Sequence, residues 1–174
     1  MKSEGRRLPN RRAWRWGAGL AALVFLVDWT SKWWMLRTLD LPPWGAIEVT
    51  PFFNLVMVWN RGVSFGLFND GGEFGRWLLV LLAGAVVIGL AIWLIRARDR
   101  FLAIALGLVI GGAMGNMYDR VIYGAVRDFF DVHLGAYHWP AFNAADSAIS
   151  VGVALLIWDA VFNADGRAGS EDKE

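Results

Sequence analysis

The chain has no cysteine and only two histidines, His133 and His138. Without cysteine there is no disulfide framework, no thiolate nucleophile and no cysteine metal ligand. Neither histidine lies in an HExxH context, so a zinc site has little support. Also missing is a patch of interleaved basic and aromatic residues of the kind that stacks bases, and nucleic acid is not expected as a partner. A small transporter would need internal repeats or broken helices, yet the two halves of the chain share no repeated pattern. No motif suggests a metal or an organic cofactor, and none is expected.

What is abundant is apolar. Of 174 residues 56% are hydrophobic and 11 are Trp, and the mean hydropathy is +0.40, which points to a membrane protein. Trp77 to Ile95, "WLLVLLAGAVVIGLAIWLI", carries no charge over 19 residues, enough for about 28 Å of helix at roughly 1.5 Å per residue. Phe101 to Tyr118 is a second charge-free run, separated from the first only by "RARDR", so the two predict a tight helical hairpin. Two weaker spans flank it. Trp16 to Leu36 is interrupted by Asp28 and Lys32, and Phe142 to Phe162 by Asp146 and Asp159. The expectation is one membrane-embedded domain over residues 1–164, with spans near 16–36, 77–95, 101–119 and 142–162, and a polar tail over 165–174.

The formal charge of +1 conceals an asymmetry, because Lys2, Arg6, Arg7, Arg11, Arg12 and Arg15 all precede the first apolar run. Together with Arg96, Arg98 and Arg100 they predict that both termini and the middle loop are cytoplasmic. Residues 40–75 and 121–140 then face the opposite side. A secretory signal peptide is the alternative for the N-terminus, but the apolar run continues into "DWTSKWW" without a convincing cleavage site, which favours an uncleaved helix. In the outer segment "DLPPWG" breaks helix, and "IEVTPFFNLVMVWNRGVSFGLF" places β-branched and aromatic residues around an Asn-Arg-Gly turn. That pattern predicts a short extended platform or hairpin, and a plain interfacial loop fits it equally.

Charge inside a span needs a reason, since one charged side chain at the bilayer centre costs roughly 2.5 to 3.5 kcal/mol on insertion scales. Asp28 and Lys32 are spaced i, i+4 and share a helical face, where they can neutralise each other or point into the bundle. Gly107, Gly111 and Gly115 form overlapping GxxxG patterns that allow a neighbouring helix to approach. Gly112, Asn116 and Arg120 recur on the adjoining ridge, so that a groove of small residues leads to an amide and a guanidinium. The plainer alternative has Arg120 snorkelling to the interface and pairing with Asp119.

Asp128, in "GAVRDFFDVH", follows the third span, and Asp146, in "FNAADSAI", begins the fourth. Antiparallel helices joined at that end bring the two carboxylates together. A close pair shares a proton, and one member then acts as base on a water while the other is acid toward a carbonyl oxygen. Spacing alone fits equally well a helix-terminal Asp146 favoured by the dipole and an Asp128 paired with Arg127.

Four stretches carry a family resemblance: "DWTSK", "FFNLVMVWNRGVSFG", "GGAMGNMYDRVIYGAVRDFFD" and "FNAADSAI". Together they closely resemble the bacterial lipoprotein signal peptidase family, signal peptidase II. The resemblance implies an integral membrane α-helical fold: four transmembrane helices with an extracytoplasmic β-cradle and a small amphipathic element. It implies an inner-membrane aspartic endopeptidase, acting as a monomer on diacylglyceryl prolipoproteins in membrane lipid and cleaving on the N-terminal side of the lipidated cysteine. By motif, Asp128 and Asp146 become the catalytic pair, and Asn60, Asn116, Arg120, Asn143, Asp28 and Lys32 surround the site. Asn60, Asn116 and Arg120 are expected to hold the substrate backbone, Asn143 to orient the pair, and Asp28 with Lys32 to support the fold. Asp131 is left as a surface or loop residue. The turn "NRGVSFG", where the family suggests "NTGAAFG", puts contacts of Arg61 and Ser64 in doubt. A catalytically silent membrane binding protein with the same helices is the alternative. An intramembrane GxGD-type peptidase is not favoured, because no Gly-x-Gly-Asp follows "NMYDR".

Overall fold

The computed structural model describes residues 12–38, 45–62 and 72–162. Four helices are present: α1 (Ala13–Thr38), α2 (Gly72–Arg96), α3 (Arg100–Tyr123) and α4 (Ala144–Phe162). Between them run four strands: β1 (Ala46–Thr50), β2 (Phe53–Asn60), β3 (Val126–Leu134) and β4 (Tyr137–His138). "DLPPWG" as far as Trp44, Ser64 and the 165–174 tail fall outside the described residues.

The central element is α3, which packs against each of the other helices. Its start is fixed by Asp99, whose side chain accepts from Leu102 N at 3.1 Å. Its end is fixed by Gly124, left-handed at φ 78°, whose N–H donates to Arg120 O at 3.1 Å. Arg76 of α2 reinforces that end by donating to Arg120 O at 2.7 Å and Val121 O at 2.5 Å. These last carbonyls have no partner within the helix and need one from outside.

Small residues set the packing, as the spacing predicts. A side chain on Gly107 would strike the backbone of Gly17, and one on Gly111 the backbone of Ala21. One on Gly115 would strike the Asp28 carboxylate. The GxxxG ridge is therefore the seat of α1. The adjoining Gly112 receives Ala145 of α4. An apolar cluster of Ala13, Leu94, Ala97, Leu102 and Leu106 closes the end of the bundle where α1 and α3 begin and α2 ends.

Three described helices, Glu73–Arg96, Arg100–Tyr123 and Ala144–Phe162, are long and apolar enough to cross a membrane. The longest helix, α1 with 26 residues, carries Asp28 and Lys32 in its body and is not among them.

The strands form one antiparallel series in the order β1-β2-β3-β4. The extended platform or hairpin expected in this segment is present as β1 and β2, which turn at Pro51 and Phe52; what immediately follows Gly62 lies outside the described residues. Asn60 ends β2: its own Oδ1 takes the Gly62 N–H at 2.8 Å, with Gly62 at φ 81°. A small amphipathic element has no counterpart among the described residues. Between Leu55 and Val58 the register of β2 on β3 slips by one residue, and the consequence is a change of face. Asn54 sits opposite Asp131, whereas Asn60, six residues on, joins the face of Asp128.

Overpacking a helix contact costs roughly 1–3 kcal/mol. Gly107→Ala is expected to lower the melting temperature in detergent by several degrees. Gly89→Ala, where a new methyl meets nothing within 4 Å, should leave it unchanged or slightly raised.

Candidate active site

The start of α4 is built as a reciprocal cap. Asp146 N donates to Asn143 Oδ1 at 2.9 Å, and Asn143 N donates to Asp146 Oδ2 at 3.1 Å. This is the capping-box geometry, with Asp in the place of the usual Glu or Gln. The next orphan donor, Ala145 N, is satisfied from another helix by Asp28 Oδ1 at 2.9 Å. Asp146 is thus fixed by the same bonds that begin its helix.

Asp128 reaches this cap through the sheet. Phe142 pairs with Phe130 of β3, its N–H donating to Phe130 O at 3.0 Å and its carbonyl accepting from Phe130 N at 2.8 Å. The strap lays Asn143 against β3, and Asn143 Nδ2 donates to Asp128 Oδ1 at 2.7 Å. The other Asp128 oxygen accepts from Asn60 Nδ2 at 3.0 Å across the β2–β3 ladder. Asn143 therefore touches both carboxylates.

Asn116 ties the pair to α1. Its Nδ2 donates to Asp146 Oδ1 at 2.7 Å, while its Oδ1 accepts from Lys32 Nζ at 3.0 Å and Asn143 Nδ2 at 3.2 Å. Lys32 is fully buried, donates to Asp28 at 2.7 Å and forms an ion pair with Asp119 at 3.3 Å. Arg127, buried beside Asp128, forks onto Asp119 with Nη2 at 2.6 Å and Nε at 3.2 Å. Its own backbone N–H reaches the same carboxylate at 3.1 Å, and its guanidinium lies 4.3 Å from the Tyr123 ring centroid.

The sequence-predicted residues Asp28, Lys32, Asn60, Asn116, Asp128, Asn143 and Asp146 thus form one connected network. Arg120 stands beside it. Its Nη1 donates to Asn116 O at 3.4 Å, its Nε is buried with no partner, and the charges acting on it are led by Asp146 and Asp128.

Two pairings that spacing had left open do not occur. Asp119 pairs with Arg127 and Lys32 rather than with Arg120, and Asp128 pairs with amides rather than with Arg127. Asp131 is not the surface residue expected of it. It is buried in β3, accepting from Asn54 Nδ2 at 2.9 Å and contacting His138 Nδ1 at 2.9 Å. Burial pushes its carboxyl up, but the hydrogen bonds from His138 and Asn54 outweigh that and hold it below the usual carboxylate range. The pairing of Asp119 with Arg127 is what sequence reasoning passed over. The only available signal was an acid and a base eight positions apart around a glycine.

Asp128 has the opposite electrostatics. Burial, helped by the charge of Asp146, pushes its pKa up to about 6 against the opposing bonds from Asn60 and Asn143. Asp146 is half-buried and Asn60 exposed, so the pair is open on that side. Among the described residues no group of acidic, histidine or cysteine side chains is arranged to hold a metal ion.

Residues 20–162 match the family described as Signal peptidase (SPase) II. The chain belongs to the signal peptidase II family. It is 49% identical over 157 residues to a lipoprotein signal peptidase of Methylorubrum extorquens (strain PA1), covering 89% of this chain and 91% of the relative. It is 50% identical over 155 residues to one of Methylobacterium radiotolerans, covering 86% and 88%. Among solved structures it is similar to a bacterial membrane enzyme determined by the in meso method at 2.3 Å, with TM-score 0.70 and 28% identity over 91% of this chain and 92% of that one. A second such structure, at 1.9 Å, gives TM-score 0.73 and 29% identity over 84% and 92%. As a signal peptidase II, the chain is an aspartic endopeptidase of lipoprotein processing, and its apolar helices make it a membrane enzyme.

Removing one partner of a buried ion pair leaves an uncompensated charge and costs about 3–5 kcal/mol. Lys32→Met strands Asp28 and leaves Asp119 with Arg127 as its remaining cation, and unfolding in detergent is expected to show a loss of that size. A loss below about 1 kcal/mol would mean that the cluster is not held by its ammonium.

Proposed function

We propose that Asp128 and Asp146 are the catalytic pair of a peptidase that removes the signal peptide of diacylglyceryl-modified prolipoproteins, cutting on the N-terminal side of the lipidated cysteine. The observation that carries this reading is Asn143, which binds one carboxylate with its side chain and the other with its backbone. The raised pKa of Asp128 makes it the member that holds the shared proton. Asp146 lies in the first turn of α4, where negative charge is favoured, and takes a proton from the attacking water. Water adds to the scissile carbonyl as the Asp128 proton moves to its oxygen. On collapse of the tetrahedral adduct Asp146 gives the proton it took from water to the leaving nitrogen and Asp128 recovers one from the adduct hydroxyl, which releases the amine of the cysteine and restores the pair. With one proton on the pair, the remaining negative charge balances Arg120, so the buried site is neutral in its working form.

The half-buried guanidinium of Arg120 and the exposed end of Asn60 supply donors for an extended substrate backbone. The chain acts as a monomer whose residues 1–164 form one domain.

The same reading makes α1 a fourth span, with Asp28 and Lys32 buried and Leu23, Leu26, Val27 and Trp33 facing lipid. Exposed tryptophans support two interfacial belts, Trp16 and Trp93 at one level and Trp33 and Trp77 at the other. Along α1 and α2 these belts lie about 25 Å apart at roughly 1.5 Å per residue, close to a hydrocarbon thickness. Both termini lie in the cytoplasm, and the pair lies near the outer face of the inner membrane.

Purified protein should cleave a diacylglyceryl prolipoprotein before the modified cysteine, and folded Asp128→Asn and Asp146→Asn should each lose at least about 1,000-fold of that activity. Full activity in either variant would remove that aspartate from the mechanism. The pH profile carries a second prediction. The working pair needs its proton, so kcat/KM is expected to fall as pH rises through an apparent pKa near 6 that belongs to the pair. The Asn60 amide stabilises ionised Asp128, so Asn60→Leu should move that alkaline limb to higher pH. A shift to lower pH would reverse the assignment.

A further inference from the structure

At the opposite end of the bundle from the aspartates, Arg12, Arg15, Trp16 and Arg100 line a cleft of about 490 Å³. The cleft lies where the first turns of α1 and α3 meet. The two helices touch just beyond it, since a side chain on Gly17 would strike the carbonyl of Ala103. The close crossing brings Arg15 of α1 and Arg100 of α3 to the walls of one cleft. Arg100 stacks over the Trp16 ring with its guanidinium carbon 5.4 Å from the centroid, and Arg15 over Trp14 at 5.7 Å. Neither Arg15 nor Arg100 forms an ion pair among the described residues. Asp99, next to Arg100, spends its carboxylate on Leu102 N.

This arrangement opposes the helix dipoles. Helix N-termini favour acidic side chains and disfavour cations, yet α1 has no acidic residue in its first turn and α3 has only its cap, Asp99, against the guanidiniums gathered there. Guanidiniums gathered at two positive helix ends repel one another unless an anion joins them. We propose that this cleft binds the phosphate of an anionic phospholipid headgroup, with Arg15 and Arg100 as its principal donors and the Trp16 ring as its floor.

A lipid is favoured over a soluble anion by what surrounds the cleft. Trp14 and Trp16 of α1 and Trp93 and Ile95 of α2 are exposed at this same end, giving acyl chains an apolar flank directly below the arginines. Basic pockets between membrane helices at headgroup level bind anionic lipids through this combination of charge and apolar wall. Arginine suits the role, because its planar fork matches phosphate oxygens in pairs. The site is independent of the peptidase reading, and it predicts lipid-dependent stability whether or not the enzyme turns over.

The test is thermal unfolding of the purified full chain in a neutral detergent, titrated separately with dioleoylphosphatidylglycerol, dioleoylphosphatidylcholine and sodium phosphate. Phosphatidylglycerol should raise the melting temperature saturably, and phosphatidylcholine and free phosphate should not at equal phosphate concentration. In the double variant Arg15→Gln/Arg100→Gln the apparent affinity for phosphatidylglycerol should fall about tenfold or more. Arg15→Lys/Arg100→Lys should retain most of it, and Arg37→Gln, at the far end of α1, all of it. Should the double variant not fold, either single glutamine variant is expected to lose about fivefold. Equal responses to the two lipids, an unchanged affinity in the glutamine variants, or an equal loss in Arg37→Gln would overturn the proposal. A full response to free phosphate would overturn the lipid assignment.

Discussion

One buried ammonium carries much of this architecture. Lys32 has three partners: it donates to Asp28 on its own helix and to Asn116 on α3, and it pairs with the Asp119 carboxylate of α3. Each partner leads onward, Asp28 to the first turn of α4, Asn116 to Asp146, and Asp119 to Arg127 in β3. Every element that contributes an aspartate to the proposed catalytic pair is therefore tied to one nitrogen. The cluster of Asp28, Lys32, Asp119 and Arg127 is neutral as a whole, which is what permits four charged groups to be buried together. Its neutrality also leaves the electrostatics of Asp128, Asp146 and Arg120 as a separate problem with its own balance.

The start of α4 has two tasks, and the same bonds perform both. A helix that begins beneath a sheet must satisfy its first N–H groups without water. Asn143 and Asp146 do so reciprocally, and Asp28 supplies the acceptor for Ala145. A carboxylate used as a cap has its rotamer fixed by the backbone, so Asp146 is preorganised. The cost falls on substitution: replacing Asp146 by a neutral amide keeps a capping group of the same shape, whereas alanine removes the cap as well as the carboxylate.

Much of this was legible in sequence where the relation was local. The i, i+4 spacing of Asp28 and Lys32 gave their pairing, the GxxxG steps gave the seat of a neighbouring helix, and charge-free runs located α2 and α3. What was not legible depended on pairing across distance. Asp131 was misjudged because its partner Asn54 lies on β2, and the register slip between Leu55 and Val58 decides which face each asparagine takes. The ion pair of Asp119 with Arg127 spans a helix end and a left-handed glycine, a geometry that no periodicity expresses. Around Asn60-Arg61-Gly62 composition allowed a platform, a hairpin or a plain loop alike, and which turn hydrogen bond forms there depends on the Asn60 side chain, whose Oδ1 takes the Gly62 N–H.

The two ends of the bundle solve the burial of charge in opposite ways. Around the aspartates, acids and bases come from α1, α3, β3 and α4 and satisfy one another internally, so that end can lie beneath a sheet at the membrane surface. At the other end the arginines of α1 and α3 stack on tryptophans and lack acidic neighbours in their first turns. A chain built this way depends on its surroundings at one end only. Charge that is neutralised within the fold needs no particular lipid, while the proposed lipid site would meet the charge of Arg15 and Arg100 with an anionic headgroup.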